Sequence, residues 1–216
     1  MLRLLRSNPG IGGAHRRLGY DVVKRAIDLG ACLMALPLVA PLILICALLV
    51  KLDSPGPAFF LQKRTGKGGR SFKLIKLRTM VTNASEIKEQ LWQFNELTYP
   101  DFKMENDPRI TRAGAFLRRT SLDELPNIIN VLLGNMSLVG PRPTSFRAAT
   151  YQPWQTARLR VLPGITGLWQ VSGRSDVDFV ERARLDIRYI ENRSIWLDLI
   201  LLVKTFSAVI RRKGAY

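Results

Sequence analysis

Two carboxylates stand side by side at Asp123 and Glu124, in the stretch Thr120-Ser121-Leu122-Asp123-Glu124-Leu125-Pro126. Arg118 and Arg119 precede them, in a chain of 216 residues whose 33 Lys and Arg outnumber 17 Asp and Glu to give a formal charge of +16. A carboxylate at a helix start beside Arg118, Arg119 and Arg142 is expected to have a lowered pKa, which leaves it ionised as a nucleophile or metal ligand. The same helix start and arginines suit a phosphate. One small region can therefore hold an anionic substrate and supply the atom that attacks it, with Mg²⁺ offsetting repulsion between carboxylate and phosphate oxygens. A plainer reading competes. Ser121 and Glu124 have the S-x-x-E spacing of a capping box, and Asp123 in the first turn would answer the helix dipole without doing any chemistry.

Other chemistries are bounded by composition. The single histidine, His15, lies in a basic N-terminal arm, which excludes multi-histidine zinc sites and leaves a Ser-His-Asp triad without a plausible base. Cys32 and Cys46 fall inside one apolar run and read as small hydrophobes. Acid–base work is left to carboxylates, Lys, Tyr or Cys. The basic excess points to an anionic partner: a phosphorylated small molecule, an anionic membrane surface or nucleic acid. No helix-turn-helix, RNA-recognition or zinc pattern supports the last of these.

The elements that must position the acids follow from pattern. Leu29 to Val50 carries no charge, and its twenty-two residues make a helix roughly 33 Å long, enough for a bilayer core of about 30 Å. Pro37 and Pro41 sit in its middle third, where each removes a helical hydrogen bond. Cationic residues flank both ends, Arg16, Arg17, Lys24 and Arg25 before and Lys51, Lys63, Arg64 and Lys67 after. A kinked crossing helix and a helix that breaks, dips in and returns to one face both remain open, although only the second places both cationic flanks on one side. Beyond it, Phe59-Lys63 and Phe72-Leu77 read as a hairpin around a Gly66-to-Gly69 loop, Ala84-Glu96 as a helix, and Arg112-Arg119 as a short basic helix. A helix over Ser121 to Leu133 carries the acids at its start. Residues 134–143 and 163–174 read as loops, with a polar helix between them. Ser194-Ile210 reads equally as a core helix or as an interfacial membrane helix, with Arg211, Arg212 and Lys213 beyond.

From about Lys24 to Tyr216 the sequence resembles the bacterial sugar transferases, or monotopic phosphoglycosyl transferases. The resemblance rests on "KRAIDLG", "DSPGPAFFLQKRTGKGG", "FKLIKLRTM", "DPRITRAGAFLRRTSLDELPNIINVLLGNMSLVGPRP" and "PGITGLWQVSGR". It implies an α+β, mainly helical fold: an N-terminal re-entrant membrane helix breaking at Pro37, a small β-hairpin, and interfacial amphipathic helices around a cytoplasmic catalytic domain at the bacterial inner membrane. The divisions it suggests are a basic arm over 1–20, the re-entrant helix over 21–51 and the catalytic domain over 52–216. The resemblance is to the small catalytic-core type, which is expected to do without the extra N-terminal membrane helices of longer relatives.

By the same resemblance Asp123 and Glu124 form the catalytic pair and the Mg²⁺ site. Asp123 would attack the β-phosphorus of a UDP-sugar and release UMP. Polyprenyl phosphate would then take the sugar phosphate from the aspartyl intermediate. Glu124 would hold metal or accept a proton, with the choice left open. Arg118, Arg119 and Arg142 are expected on phosphate; Lys76 and Arg78 either join them or form the exposed face of a strand. Gly164, Thr166, Gly167 and Gln170 are expected to shape a loop near the nucleotide, although turn formation alone would explain the glycines. Partners are a UDP-sugar, polyprenyl phosphate and anionic lipids, with no nucleic acid; a homodimer is left open. Leu36, Leu77 and Asn135 depart from the common pattern and leave the helix bend and the sugar less defined than the reaction. Galactose or glucose is the expected sugar. The rival readings are a membrane-anchored nucleic-acid-binding protein and an inactive scaffold.

Overall fold

In a computed structural model, which describes residues 13–94, 104, 106–172 and 178–210, the chain is mainly helical with two small sheets. Most of the basic N-terminal arm, residues Asn95 and Glu96 of the predicted helix, Gly173 and Arg174, and Arg211, Arg212 and Lys213 lie outside the described residues.

Helix α1 runs Gly13–Asp53. Helical backbone continues through Pro37 and Pro41, so the break expected at Pro37 does not interrupt the element. A proline deletes one intrahelical bond and favours a bend, yet long apolar neighbours on both sides keep the remaining bonds. Among the described residues α1 alone is long and apolar enough to cross a membrane, and only 22 % of its most apolar window is buried in protein. One stripe, Asp28, Cys32, Ile43, Cys46 and Val50, is buried against the rest of the molecule. Leu33, Met34, Leu38, Leu44, Ile45, Leu48 and Leu52 are exposed. A core helix of a water-soluble protein would hide these.

Strands β1 (Phe59–Thr65) and β2 (Ser71–Leu77) form the predicted antiparallel hairpin, two residues longer at the β1 end, with Phe59 opposite Leu77 and Thr65 opposite Ser71. Helix α2 (Ala84–Gln90) is followed by a 3₁₀ turn at Trp92–Phe94. Helix α3 (Arg112–Thr120) is capped twice: Thr111 Oγ1 accepts from the Gly114 N–H, and the Asp53 carboxylate at the end of α1 accepts from the Ala113 N–H. This fixes α3 to α1, and Gly114 permits the approach, because a Cβ there would lie 2.1 Å from the Thr79 carbonyl oxygen.

The helix predicted over Ser121 to Leu133 is divided. Ser121 adopts a left-handed conformation (φ 57°) that ends α3, a 3₁₀ turn follows at Leu122–Glu124, and α4 occupies only Asn127–Leu132. The capping box is absent: Ser121 makes no side-chain cap, and the Glu124 side chain is drawn elsewhere. Pro126 explains the short α4, since it can begin a helix but not sit deep inside one.

The two segments predicted as loops contain strands β3 (Ser137–Val139) and β4 (Gly164–Thr166), which pair in parallel. Three-residue strands give too little alternation to be legible. Between them, in place of the polar α-helix, lie 3₁₀ segments at Ala148–Thr150 and Pro153–Arg160. Helix α5 (Phe179–Asn192), not foreseen from the sequence, is capped by Asp178, and α6 spans Ile195–Ile210. The two readings of α6 divide by face. Leu201 and Asp198 are buried, whereas Trp196, Leu199, Val203 and Phe206 are exposed at helical spacing. The core has three clusters, centred on Val131 and Met136, on Val50, Leu77 and Leu117, and on Val139, Tyr189 and Leu201; α1 contributes to the first two.

Candidate active site

The turn between α3 and α4 presents Asp123 and Glu124 to the hairpin. Lys76 on β2 donates to Glu124 Oε1 at 2.6 Å. Arg142, on the loop after β3, donates from Nη2 to Glu124 Oε1 at 2.5 Å and from Nη1 to Oε2 at 3.2 Å. Both oxygens of Glu124 are thereby engaged by cations. Asp123 is treated differently. Its Oδ2 lies 4.0 Å from Lys76 Nζ, and among the described residues its carboxylate accepts no hydrogen bond.

These surroundings separate the two acids electrostatically. Burial alone would push Glu124 up, but Arg142 and Lys76 overcome it and hold the carboxyl far below the ordinary range. Burial raises Asp123, and the attraction of Lys76 and Arg118 does not cancel it. The lowered pKa expected for the pair therefore belongs to Glu124 and not to Asp123. A carboxylate with a higher proton affinity is the better nucleophile once ionised. Lys76 is itself pulled down by burial, against the field of Glu124.

A depression opens beside the pair, lined by Arg64, Leu74, Lys76, Glu124, Asn127, Met136, Arg142, Pro143, Gly164 and Ile165. Of the residues singled out from sequence, Lys76, Glu124, Arg142 and Gly164 meet here, with Asp123 adjoining. Arg118 is close enough for its charge to act on Asp123, and its Nε donates to Thr79 Oγ1 at 2.9 Å. Arg119 is exposed on α3.

The others are engaged in building the frame. Arg78 is buried and donates to the Ser54 carbonyl and hydroxyl at 2.7 and 3.0 Å and to the Pro55 carbonyl, tying β2 to the end of α1. Thr166 is buried with its hydroxyl 2.6 Å from that of Thr205 on α6. Gln170 donates to the Ile165 carbonyl at 3.2 Å. The glycines answer to close packing and not to turns: a Cβ on Gly164 would lie 2.1 Å from the Gly140 nitrogen, and one on Gly167 would lie 2.5 Å from the Gly140 oxygen.

Sequence reasoning missed the supports of Arg142. Thr65 holds its loop from one side, its N–H donating to the Thr144 carbonyl at 2.9 Å and its hydroxyl to the Phe146 carbonyl at 2.5 Å. Arg158 holds it from the other. It donates from Nη2 to the Arg142 carbonyl at 2.8 Å and to Asp186 Oδ2 at 2.5 Å, and both members of that ion pair are buried. A second buried pair, Asp107 with Arg109 at 2.6 Å, stands near Arg118. The "DPR" stretch could have signalled this pair; nothing in sequence links residues 158 and 186.

A carboxylate that accepts no hydrogen bond among the described residues, a neighbour neutralised by two cations, and a further arginine close by suit a phosphoryl-type transferase, beside a helix with a largely uncovered apolar surface. The sequence profile of the family described as Bacterial sugar transferase matches residues 19–212, and the chain belongs to that family. It is 41 % identical over 209 residues to the "Exopolysaccharide production protein ExoY" of Rhizobium meliloti, covering 94 % of this chain and 92 % of that protein. It is 41 % identical over 214 residues to the "UDP-glucose:undecaprenyl-phosphate glucose-1-phosphate transferase" of Caulobacter vibrioides, covering 95 % and 76 %. With the "Undecaprenyl-phosphate galactose phosphotransferase" of Salmonella typhimurium the figures are 43 % over 199 residues, 90 % of this chain and 42 % of the relative, so the chain spans less than half of that longer protein.

Proposed function

We propose that the enzyme transfers a sugar-1-phosphate from a UDP-sugar to a polyprenyl phosphate, the first membrane step in building an extracellular polysaccharide. The names of its relatives support this donor and acceptor class. The observation that carries the mechanism is the unequal treatment of the two acids. Both oxygens of Glu124 are held by Lys76 and Arg142, while Asp123 beside it has only a long ion pair to Lys76 and accepts no hydrogen bond among the described residues.

Asp123 attacks the β-phosphorus, an Asp–O–P bond forms as the bond to the bridging oxygen of UMP breaks, and UMP departs with that electron pair. An oxygen of polyprenyl phosphate then attacks the same phosphorus and the Asp123 carboxylate leaves. The acceptor is anionic near neutral pH, so no histidine base is needed. Lys76, Arg142 and Arg118 face the developing charge on the phosphate oxygens, and Arg119 draws the nucleotide in. Glu124 orients Lys76 and Arg142. The depression lined by Lys76, Glu124 and Arg142 is where the diphosphate of the donor would meet these side chains.

Mg²⁺ fits this arrangement through Asp123 alone. Both Glu124 oxygens are held by cations, and the described residues include no group of three or more His, Cys, Asp or Glu placed to hold a metal ion. Mg²⁺ commonly binds one carboxylate together with substrate phosphates and waters, and here it would offset repulsion between Asp123 and the donor.

The same reading places α1 in the membrane as a re-entrant helix with the catalytic domain on the cytoplasmic face of the inner membrane. Both ends of α1 grip that domain: Tyr20 and Lys24 bond Asp198 on α6 at 2.7 and 2.8 Å, and Asp53 bonds the start of α3. Pro37 and Pro41, which lie between those points, favour a bend there. Galactose or glucose is the proposed sugar. The test is UMP release from a panel of UDP-sugars with polyprenyl phosphate: the proposal requires turnover with a hexose donor and its loss in Asp123→Asn, and no turnover with any donor would refute it.

A further inference from the structure

The hairpin carries a surface that the reaction leaves unused. Side chains alternate across a strand, so Phe59, Leu61 and Lys63 share one face with their register partners Leu77, Ile75 and Lys73. The base of this face is covered: Leu77 and the adjoining Ala58 pack in one buried cluster with Cys46, Ala47 and Val50 of α1. Further along, protein cover ends. Phe59 and Leu61 are exposed, and Lys63 and Lys73 stand exposed and directly opposite each other. Among the described residues no carboxylate pairs with either lysine, although like charges in opposed positions destabilise a sheet. The face thus runs from buried apolar, through exposed apolar, to paired cations over four residues, about 14 Å. It starts from the arm of α1 whose other side exposes Leu44, Ile45, Leu48 and Leu52.

That gradient matches the profile of a bilayer edge. We propose that the β1–β2 hairpin is a second membrane contact, with Leu61 and Ile75 at the acyl boundary and the Lys63–Lys73 pair on anionic headgroups of the leaflet that receives α1. The proposal rests on the membrane reading of α1 given above. Its consequence is positional. Lys76 lies on the opposite face of the same strand, so seating one face on the leaflet sets the height of the acid pair above the lipid acceptor.

The experiment uses the full chain in nanodiscs of phosphatidylglycerol and phosphatidylcholine, with an environment-sensitive thiol probe at Leu61→Cys. The native Cys32 and Cys46 are buried and do not compete for the probe. The expected result is quenching by lipids doxyl-labelled near the headgroup, shielding from aqueous iodide, and loss of both in the Lys63→Gln/Lys73→Gln background. Each lysine is expected to weaken local association about fivefold, about thirtyfold together. A probe open to iodide and untouched by doxyl lipid overturns the proposal. So does one shielded from both quenchers, as a protein partner or second copy would produce, or one whose quenching ignores the lysine substitutions. A probe at Leu48→Cys separates the two readings: quenching there without quenching at 61 defeats the hairpin contact alone, and quenching at neither defeats the membrane reading as well.

Discussion

Replacing Glu124 by Gln keeps the shape of the side chain and removes its charge. In the native protein that charge is shared by Lys76 at 2.6 Å and Arg142 at 2.5 and 3.2 Å. Hydrogen bonds to charged groups contribute about 1.5–3 kcal/mol each, and a neutral amide retains part of this. What it cannot supply is the countercharge, and at an effective dielectric of about 20 two unit charges 4 Å apart interact by about 4 kcal/mol. After discounting for the partial exposure of Arg142, the substitution is expected to cost about 3 kcal/mol. For a chain of this size that lowers Tm by about 6–12 °C. The pH dependence is a second signature. Glu124 is held far below its usual range in the folded protein, so its contribution is complete above an unfolded value of about 4.3 and is lost as pH falls toward the lower folded value. Thermal unfolding in detergent or nanodiscs should show a constant gap between native and variant proteins from pH 7 to 5, narrowing below about pH 4. A gap absent at pH 7, or unchanged down to pH 3, would refute the assignment of Glu124 as the ionised anchor of the two cations.

Gly164→Ala would place a Cβ 2.1 Å from the Gly140 nitrogen. It should part β3 from β4 at a cost of about 1–3 kcal/mol and displace the Arg142 loop, read as lower Tm with lower UMP release. Arg158→Ala would leave Asp186 buried and unpaired, and should cost about 3–5 kcal/mol in denaturant unfolding. A cost below about 1 kcal/mol would show that the pair does not support the Arg142 loop.

The parts of the molecule legible in the sequence are those with long, periodic or strongly biased signals. The uncharged run of α1, the Gly-rich hairpin and the basic helix α3 each follow from composition over seven or more residues. What escaped depends on tertiary context. Ser121 fits a capping box by spacing, but a left-handed turn at that residue uses the local sequence to end α3, and Glu124 finds stronger partners on β2 and the Arg142 loop. The β3–β4 pair is too short for alternation, and its glycines mark backbone contact across the sheet. The opposite shifts of Asp123 and Glu124 could not be read from neighbouring residues either. They depend on where Lys76 and Arg142 arrive in space, 47 residues before and 19 residues after Asp123 in the sequence.

The proposed mechanism requires that Asp123 become bonded to phosphorus. Enzyme mixed with a UDP-hexose carrying labelled β-phosphate, without acceptor, can be quenched, digested and mapped by mass spectrometry. A phosphosugar adduct on the peptide holding Asp123, released by polyprenyl phosphate and missing from Asp123→Asn, is the predicted result; an adduct on Glu124 or elsewhere, or UMP release with no adduct, would contradict it.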